Sequence, residues 1–245
     1  MKFQGKKNRP KLSMILFMYN EEKAIESVVE ELIEILNNNK ISHQIILVEG
    51  GSTDNSFKIA KQLEKKFPQC IALKYGQLLG EKVIRGLKEV KGQYVGIMYS
   101  DGQVDPFVIP SFLKILDKGE VDVVKGVRKS RKGLTKRMTS LFFNVISQLL
   151  LSIQSRDING HPKIFSSKLI PLFNLRDKDV TIDLEIMVKA KRLSLKIEEI
   201  LVNERERVGG ISSVRFITAL RTFFHILSYK RDNITMLFKK LKKNK

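Results

Sequence analysis

The chain has little of what would place it among secreted, membrane-spanning or common nucleotide-binding proteins. Its single cysteine, Cys70, excludes an internal disulfide, and its apolar neighbours predict a buried, inert thiol in a reducing cytoplasm. The basic start is followed by too short an apolar stretch for a secretory signal, and no run reaches the roughly 18 apolar residues of a transmembrane helix. No G-x-G-x-x-G follows the first predicted strand and no Walker loop occurs, which excludes ordinary dehydrogenases and P-loop enzymes.

Acidic residues are scarce, with 26 Asp and Glu against 45 Lys and Arg, and the net charge of +19 lies mainly in three segments. Residues 1–11 carry five basic side chains and residues 125–137 carry seven, both without an acid, and residues 230–245 carry seven against one acid. The remainder is nearly neutral, unlike a chain that is basic throughout for nucleic acid. The distribution predicts local anionic partners: a phosphate site, a membrane surface, or both. A solvated basic surface is the alternative for each segment.

Short apolar runs alternate with amphipathic stretches along most of the chain, which predicts an α/β fold with a mainly parallel sheet and helices on both faces. We expect a basic arm at residues 1–10, a main domain at 11–213 and an amphipathic, basic, helical tail at 214–245. Predicted strands are Leu12 to Met18, Gln44 to Glu49, Cys70 to Tyr75, Tyr94 to Tyr99, Val121 to Val127, Lys163 to Phe165 and Leu195 to Val202. Predicted helices are Glu21 to Asn37, Ser52 or Asp54 to Phe67, Gly80 to Lys88, Pro106 to Asp117, Leu134 to Ile153 and Asp183 to Arg192.

Two predicted strands end in acidic, Gly-rich turns. One turn is Glu49-Gly50-Gly51-Ser52-Thr53-Asp54, and the other is Ser100-Asp101-Gly102-Gln103. Loops at the carboxyl edge of open α/β sheets bind ligands. We therefore expect Glu49 and Asp101 to emerge side by side from neighbouring strand ends and to hold a nucleotide with its metal. A turn that only caps the next helix is the alternative for the first loop.

A set of short motifs, in order along residues 11–213, carries a family resemblance. The motifs are Phe17-Met18-Tyr19-Asn20-Glu21, Val48-Glu49-Gly50-Gly51-Ser52-Thr53-Asp54, Ser100-Asp101-Gly102-Gln103, Gly126-Val127-Arg128, Asp157-Ile158-Asn159-Gly160-His161-Pro162-Lys163 and Arg207-Val208-Gly209-Gly210-Ile211-Ser212-Ser213. The set resembles family-2 glycosyltransferases of GT-A fold, most nearly the dolichol-phosphate-mannose-synthase-like branch. That resemblance implies a nucleotide-diphospho-sugar transferase fold and an enzyme that inverts the anomeric centre of the transferred sugar.

The resemblance also implies which residues meet the nucleotide. The backbone and acid after the first strand are expected at the nucleobase and ribose, and a carboxylate after the second strand is expected to accept from a base N–H. Lys163, Arg205 and Arg207 match places where related chains contact phosphates, and residues 209–213 match a loop that closes over the donor. The predicted donor-binding residues are Tyr19, Asn20, Glu21, Glu49, Gly51, Ser100, Gln103 and Arg137.

The metal implied by the resemblance is Mg²⁺ or Mn²⁺, held by Asp101, Gln103 and Asp105, with Asp101 acting through it in catalysis. The chain departs from the family pattern at two positions. Gly50 replaces the second acid of the first motif, and Tyr99 replaces the first acid of the metal motif, so we expect weak metal binding. An Asp105 that merely caps the following helix is the alternative.

Further residues are candidates for the chemical step. Arg128, and less directly Arg137, are expected to stabilise the charge of the departing nucleoside diphosphate. A hydroxyl acceptor would also need a base, for which Asp183 is narrowly preferred to Glu185, whereas a lipid phosphate is already an anion. Capping of a helix explains Asp183 equally well. His161 is predicted to be a turn or core residue rather than a catalyst.

The C-terminal tail combines an apolar stripe at Phe216, Leu220, Phe223 and Leu227 with a lysine-rich end, which predicts peripheral attachment to a membrane. A tail that packs on its own domain is the alternative, and the predicted helix after residue 133 has the same ambiguity.

The sequence thus predicts an inverting glycosyltransferase at the cytoplasmic face of the membrane. It would move a sugar from a nucleotide-sugar to a polyprenyl phosphate or a lipid-linked glycan. Transfer to a polysaccharide hydroxyl and a catalytically degenerate GT-A binding or scaffold protein remain alternatives. A nucleic-acid partner would leave the ordered motifs unexplained.

Overall fold

The computed structural model of the chain describes residues 9–129, 134–207 and 229, with the side chains of 134–140 and 142 outside the described part. Most of the predicted arm, the loop at 209–213, the tail except Tyr229 and the side chain of Arg137 therefore lie outside the described residues. The hydroxyl of Tyr229 donates to Asp177 Oδ2 at 2.9 Å, so this one position of the tail lies against the main domain.

Seven strands of the described part form one sheet. The strands are β1 (Leu12–Met18), β2 (His43–Glu49), β3 (Cys70–Lys74), β4 (Tyr94–Tyr99), β5 (Val123–Arg128), β6 (Lys163–Ser166) and β7 (Ile197–Val202). Their order in the sheet is β3-β2-β1-β4-β6-β5-β7. Neighbouring strands are parallel except for β6, which is antiparallel to both β4 and β5.

Helices cover both faces of this sheet. Alternate side chains of β1 enter two different cores, so that Leu16 packs on one face and Ile15 on the other. This two-sided burial explains why β1 is apolar without alternation. The helices are α1 (Ile25–Asn38), α2 (Ser56–Lys66), α3 (Leu79–Leu87), α4 (Ile109–Asp117), α5 (Leu134–Leu151), α6 (Leu169–Phe173) and α7 (Ile182–Arg192), with a 3₁₀ turn at Pro106–Val108.

The α/β class and the mainly parallel sheet are confirmed, with corrections at particular elements. Helix α1 begins at Ile25 rather than Glu21; residues 22–24 form a turn before it, in which the carbonyl of Glu21 accepts from the N–H groups of Ala24 and Ile25. The antiparallel direction of β6 and the short helix α6 were not predicted. In the described ranges, no helix is both long enough and apolar enough to cross a bilayer.

Candidate functional site

The acidic turns lie at one edge of the sheet because their strands run parallel. Met18 of β1 is in register with Glu49 of β2, and Phe17 of β1 is in register with Tyr99 of β4. Strand β1 therefore lies between the strands that carry Glu49 and Asp101. The expectation that the two acids follow directly adjacent strands is corrected: they flank the end of β1, and the loop after β1 occupies the space between them.

The loop after β1 is tied to the loop after β2 by polar contacts. The backbone N–H of Asn20 donates to Ser52 Oγ at 3.0 Å, and the N–H of Thr53 donates to Asn20 Oδ1 at 2.8 Å. Asn20 adopts a left-handed conformation with φ 54°, which Asn tolerates better than most residues. Tyr19, 46% exposed, is thereby displayed at the surface of this edge.

Glu49 is buried at the end of β2, with 1% exposure. Its Oε1 accepts from the N–H of Ser52 at 2.6 Å, and its Oε2 has no hydrogen-bond partner. Below it lies Lys82 of α3, whose Nζ donates to the carbonyl of Met18 at 3.0 Å and lies 5.6 Å from the Tyr19 ring centroid. Burial lowers the pKa of Lys82, and the charge of Glu49 opposes that change. Sequence reasoning missed Lys82, although its place on the buried face of α3 was a signal.

Glycine is required after Glu49 for a steric reason. A Cβ at Gly50 would lie 1.8 Å from the carbonyl oxygen of Gly76, and Gly51 has φ +80°. The position that carries a second acid in the resembling family therefore has no room for any side chain here. The N-cap of α2 is Asn55 rather than Ser52 or Asp54, although Asp54 Oδ1 accepts from the N–H of Ser56, the first residue of the helix, at 3.0 Å.

Glu21 is a second buried acid, at 6% exposure, in the loop after β1. Its Oε1 accepts from Arg207 Nη2, while its Oε2 has no partner. Burial raises the pKa of Glu21 to about 7; Arg207 opposes this rise, and the charges of Asp101 and Asp54 add to it. Arg207, matched by resemblance to a phosphate contact, is thus paired with a carboxylate of the predicted nucleotide site.

The loop after β4 uses its side chains mainly to hold itself in place. Ser100 Oγ donates to the carbonyl of Phe17 at 2.9 Å, so this hydroxyl ties β4 to β1. Asp101, 7% exposed, accepts at Oδ1 from the N–H of Gln103 at 3.1 Å. The ring of Tyr99 packs edge-on against Phe17 and His161, with centroids 4.5 Å and 4.7 Å apart. At the position where the resembling family has an acid, this chain therefore has a ring that packs in a cluster with Phe17 and His161.

The hydrogen-bond partners of Asp105 differ from those of Asp101. Its Oδ1 accepts from the N–H of Phe107 at 3.1 Å and from Arg205 Nη2 at 2.9 Å. Arg205 also binds Glu31 at 2.8 Å, so it is engaged by two carboxylates. This geometry favours the capping alternative for Asp105 over a metal ligand. Within residues 9–129, 134–207 and 229, no group of three or more His, Cys, Asp or Glu is arranged to hold a metal.

Arg128 at the end of β5 is held by a bidentate ion pair. Its Nε and Nη2 each donate to a carboxylate oxygen of Asp157 at 2.7 Å. Burial alone would lower the pKa of Arg128, but the hydrogen bonds and charge of Asp157 raise it above its ordinary value. Nearby, Lys125 is fully buried and bonded to the carbonyl of Asp157 and to Glu199, and burial lowers its pKa to about 8. Lys125 is therefore structural, whereas Arg128 remains a fixed cation.

Asp183 is enclosed at the start of α7, with 2% exposure. Its Oδ1 accepts from Lys163 Nζ at 2.6 Å, and its Oδ2 lies 3.0 Å from His161 Nε2. Burial would raise the pKa of Asp183, but His161 and Lys163 hold it well below its usual range. The other ring nitrogen of His161 lies 3.0 Å from the carbonyl oxygen of Ile97, so two acceptors favour the doubly protonated ring although burial lowers the pKa of His161.

These contacts revise the roles predicted for this part of the chain. Asp183 neither caps α7, whose N-cap is Thr181, nor lies open as a base, because Lys163 and His161 occupy both of its oxygens. Lys163 is likewise buried rather than open to a phosphate. The prediction that His161 is a core residue is confirmed by its 3% exposure. Glu185 Oε2 accepts from the backbone N–H of Asp177 at 2.7 Å and is structural.

Comparison with known proteins places this arrangement in a family. The sequence profile of glycosyl transferase family 2 matches residues 13–171. The chain belongs to this family. The match covers β1 to α6 and includes both acidic turns and Arg128, so the family resemblance read from the motifs is confirmed.

Curated relatives of this glycosyltransferase chain share about a quarter of its residues. It is 25% identical over 232 residues to a dodecaprenyl-phosphate galacturonate synthase of Rhizobium johnstonii, covering 89% of this chain and 65% of the relative. It is 24% identical to a dolichyl-phosphate beta-glucosyltransferase of Dictyostelium discoideum, covering 81% and 68%. A dolichol-phosphate mannosyltransferase of Pyrococcus furiosus is 29% identical over 50% of this chain and 34% of the relative. The chain thus spans about two thirds or less of the length of these relatives.

Solved structures confirm the fold. Glucosyl-3-phosphoglycerate synthase from Mycobacterium tuberculosis, in complex with Mn²⁺, UDP and phosphoglyceric acid, superposes with a TM-score of 0.68 at 17% identity, over 90% of this chain and 78% of that one. The same synthase with Mg²⁺ and UDP gives a TM-score of 0.68 at 18% identity, over 90% and 79%. The architecture of this chain is therefore that of GT-A glycosyltransferases.

Proposed function

We propose that the chain transfers a sugar, with inversion, from a nucleoside-diphosphate sugar to a polyprenyl phosphate at the cytoplasmic face of a membrane. Membership of glycosyl transferase family 2 supports the reaction class. The names of the three relatives, each a transferase or synthase of a prenyl-phosphate sugar, support the acceptor class.

The observation that carries the donor assignment is a pair of incompletely bonded buried carboxylates. Glu49 Oε2 and Glu21 Oε2 are both buried and both without a partner; Glu49 is the last residue of β2, and Glu21 lies in the loop after the adjacent strand β1. Leaving a buried polar group unpaired costs about 1–3 kcal/mol, so such groups are found where a ligand completes them. The N–H of a nucleobase and the hydroxyls of a ribose are donors of the required kind.

The diphosphate would lie between the end of β4 and Arg128. Arg128 is kept charged and oriented by Asp157, which suits it to stabilise the charge that develops on the leaving group. Asp101 and Gln103 could hold Mg²⁺ or Mn²⁺ only if the diphosphate and water supplied most of its oxygen ligands, because Asp105 is engaged by Arg205. A divalent ion bound there would add positive charge beside the leaving oxygens.

The acceptor class is supported by the state of the acids on the other side of the site. A hydroxyl acceptor needs a base to take its proton, whereas a phosphate attacks as an anion. Asp183 is sealed by Lys163 and His161, and Glu185 is bonded to backbone, so neither is free to serve as that base. This arrangement favours a phosphate nucleophile over a polysaccharide hydroxyl.

Transfer assays with the full chain test the proposal. UDP- and GDP-sugars are each offered with a short polyprenyl phosphate or with the corresponding polyprenol, with Mn²⁺ or with a chelator. We expect a lipid-phosphate-linked sugar from one donor and no product from the polyprenol. Transfer to the polyprenol would contradict the acceptor assignment. Nucleotide-sugar binding without turnover on any acceptor would instead favour the degenerate binding protein that Tyr99 and Gly50 suggest.

A further inference from the structure

Helix α3 carries a buried lysine, Lys82, at the carboxyl edge of the sheet. Its side chain is only 4% exposed. The Nζ atom donates to the carbonyl of Met18 at 3.0 Å and to the carbonyl of Gly50 at 3.5 Å. Met18 ends β1, and Gly50 directly follows β2. Lys82 therefore joins the ends of these two neighbouring strands.

The charges of Lys82 and Glu49 are both buried and are not paired with each other. Glu49 Oε1 accepts from the N–H of Ser52, and its Oε2 has no hydrogen-bond partner. The two groups are nevertheless close, since the charge of Glu49 opposes the lowering of the Lys82 pKa that burial causes. An ammonium has three N–H groups, and among the described residues two carbonyls accept from this one. A hydrogen-bond acceptor and a hydrogen-bond donor are thus held near each other with incomplete partners.

Three loops meet around this pair of side chains. A Cβ at Gly51 would lie 3.7 Å from Cε2 of Tyr19 and 3.4 Å from Cγ of Gln77, so the loops after β1, β2 and β3 are in contact there. The centroid of the Tyr19 ring lies 5.6 Å from Lys82 Nζ, and Tyr19 is 46% exposed. An exposed ring beside a buried acceptor and donor suits a flat, polar ligand that stacks on the ring.

Hydrogen-bond chemistry decides which nucleobases fit such a pair. Uracil and guanine present a ring N–H next to a carbonyl oxygen, so they can donate to a carboxylate and accept from an ammonium at the same time. Cytosine and adenine present a ring nitrogen without hydrogen next to an amino group, which reverses both roles. Against Glu49 and Lys82 these two bases would set acceptor against acceptor and donor against donor.

We propose that Lys82 determines the base specificity of the site: its ammonium donates to the carbonyl oxygen of a uracil or guanine base, while Glu49 Oε2 accepts from the adjacent ring N–H. Cytidine and adenosine nucleotides are rejected by the same two side chains. The inference rests on the proposed function, because it names the class of nucleotide in that site and adds a residue that reads it.

Calorimetric binding of UDP, CDP, GDP and ADP to the full chain tests the proposal without measuring sugar transfer. Wild type is compared with Lys82→Met, since methionine has a similar unbranched shape but no N–H group. The matched control is Lys74→Met. Lys74 of β3 is in register with Glu49, but its Nζ lies 5.5 Å from the Phe57 ring centroid, so the control removes a nearby positive charge and leaves the proposed contact in place. Thermal unfolding shows whether each variant is folded.

In wild type and in Lys74→Met we expect UDP to bind at least about tenfold more tightly than CDP, or GDP than ADP. In Lys82→Met this preference should fall by about tenfold or disappear. An unchanged preference in folded Lys82→Met would overturn the proposal and limit Lys82 to joining the strand ends.

The wild-type comparison also decides if Lys82→Met fails to fold. Equal binding of all four nucleotides to wild type would overturn the inference but leave the proposed function standing. Binding of none of the four would overturn both.

Discussion

Two regions at the carboxyl edge of the sheet differ in how completely their buried carboxylates are hydrogen-bonded. The donor edge, formed by Glu21, Glu49 and Lys82, keeps two buried carboxylate oxygens without partners. The paired cluster, formed by Arg128, Asp157, His161, Lys163 and Asp183, joins its acids to basic side chains at 3.0 Å or less.

This difference suggests that the donor edge binds a ligand and that the paired cluster stabilises the surrounding structure. An unpaired buried acceptor costs stability until a ligand supplies a donor, so the donor edge is suited to recognition. A closed set of ion pairs offers a ligand little, but it holds Arg128 in one orientation and keeps it charged. Acids that look alike in the sequence thus have different surroundings: Glu49 keeps one oxygen unpaired, as the proposed donor contact requires, whereas Asp183 is bonded to Lys163 and His161.

The largest expected effect comes from opening the paired cluster. Replacing Asp183→Asn leaves Lys163 buried beside a neutral partner, and we expect the free energy of unfolding to fall by about 3–5 kcal/mol. Urea denaturation measures it, with Glu26→Gln on the exposed side of α1 as the neutral control. A double variant, Lys163→Met with Asp183→Leu, should recover part of the loss. A decrease below about 1 kcal/mol for Asp183→Asn would show that the cluster is not a support.

The donor edge should respond in binding rather than in stability. In Glu49→Gln the side-chain carbonyl can still accept from the N–H of Ser52. The variant lacks the negatively charged second oxygen, Oε2, which we expect to accept a hydrogen bond from a nucleobase N–H. Hydrogen bonds to charged groups are worth about 1.5–3 kcal/mol, so UDP or GDP should bind roughly 10- to 100-fold more weakly by calorimetry. The control is Glu34→Gln on α1. Unchanged nucleotide affinity in Glu49→Gln would remove the main support for the donor assignment.

Glu21 should make the stability of the donor edge depend on pH. Its pKa is raised from 4.5 to about 7, so the folded chain holds a proton there that the unfolded chain releases. This contribution to stability is complete below the ordinary pKa and is lost as the pH rises through about 7, by roughly 3 kcal/mol. Denaturation of Glu21→Gln across that range should show a flatter dependence than wild type. Parallel curves for the two proteins would rule out Glu21 as the titrating group.

The smallest effect is expected at Asp105, whose hydrogen bonds are to Arg205 and to the N–H of Phe107 and not to residues of the donor edge. Its pair with Arg205 is about one third exposed, so Asp105→Asn should lower stability by about 1 kcal/mol or less. It should also leave the Mn²⁺ dependence of nucleotide binding unchanged, whereas Asp101→Asn should weaken that dependence. Equal metal effects for the two variants would restore Asp105 as a ligand.

Much of the fold could be predicted from local patterns. Strands β1 and β4 have the predicted bounds because each is a buried apolar run that ends at turn residues, and the parallel order places their loops at one edge. The direction of β6 could not be read in this way. A run of four residues carries no sign of its orientation, which follows from its position between β4 and β5.

The site was predictable as a set of loops and less so as a set of contacts. Glu49 ends β2 and Glu21 lies in the loop after β1, at the predicted edge of the sheet, whereas their part in donor binding stays a prediction. Asp183 was misjudged because a carboxylate at a helix start looks the same in sequence whether it faces a ligand or a buried lysine. Lys82 was missed because its hydrogen-bond partners are main-chain carbonyls, such as that of Met18, and its place on the buried face of α3 was the signal that it left in the sequence.

The close approach of Gly50 to the Gly76 carbonyl limits how this chain could be re-engineered. A single exchange that reinstates an acid after Glu49 would force the loops after β2 and β3 apart, since the new Cβ would also lie 2.8 Å from the carbonyl oxygen of Tyr75. A turn with two acids could be introduced here only if residues 75–77 of this chain were exchanged as well, for the matching segment of the protein that supplies the turn.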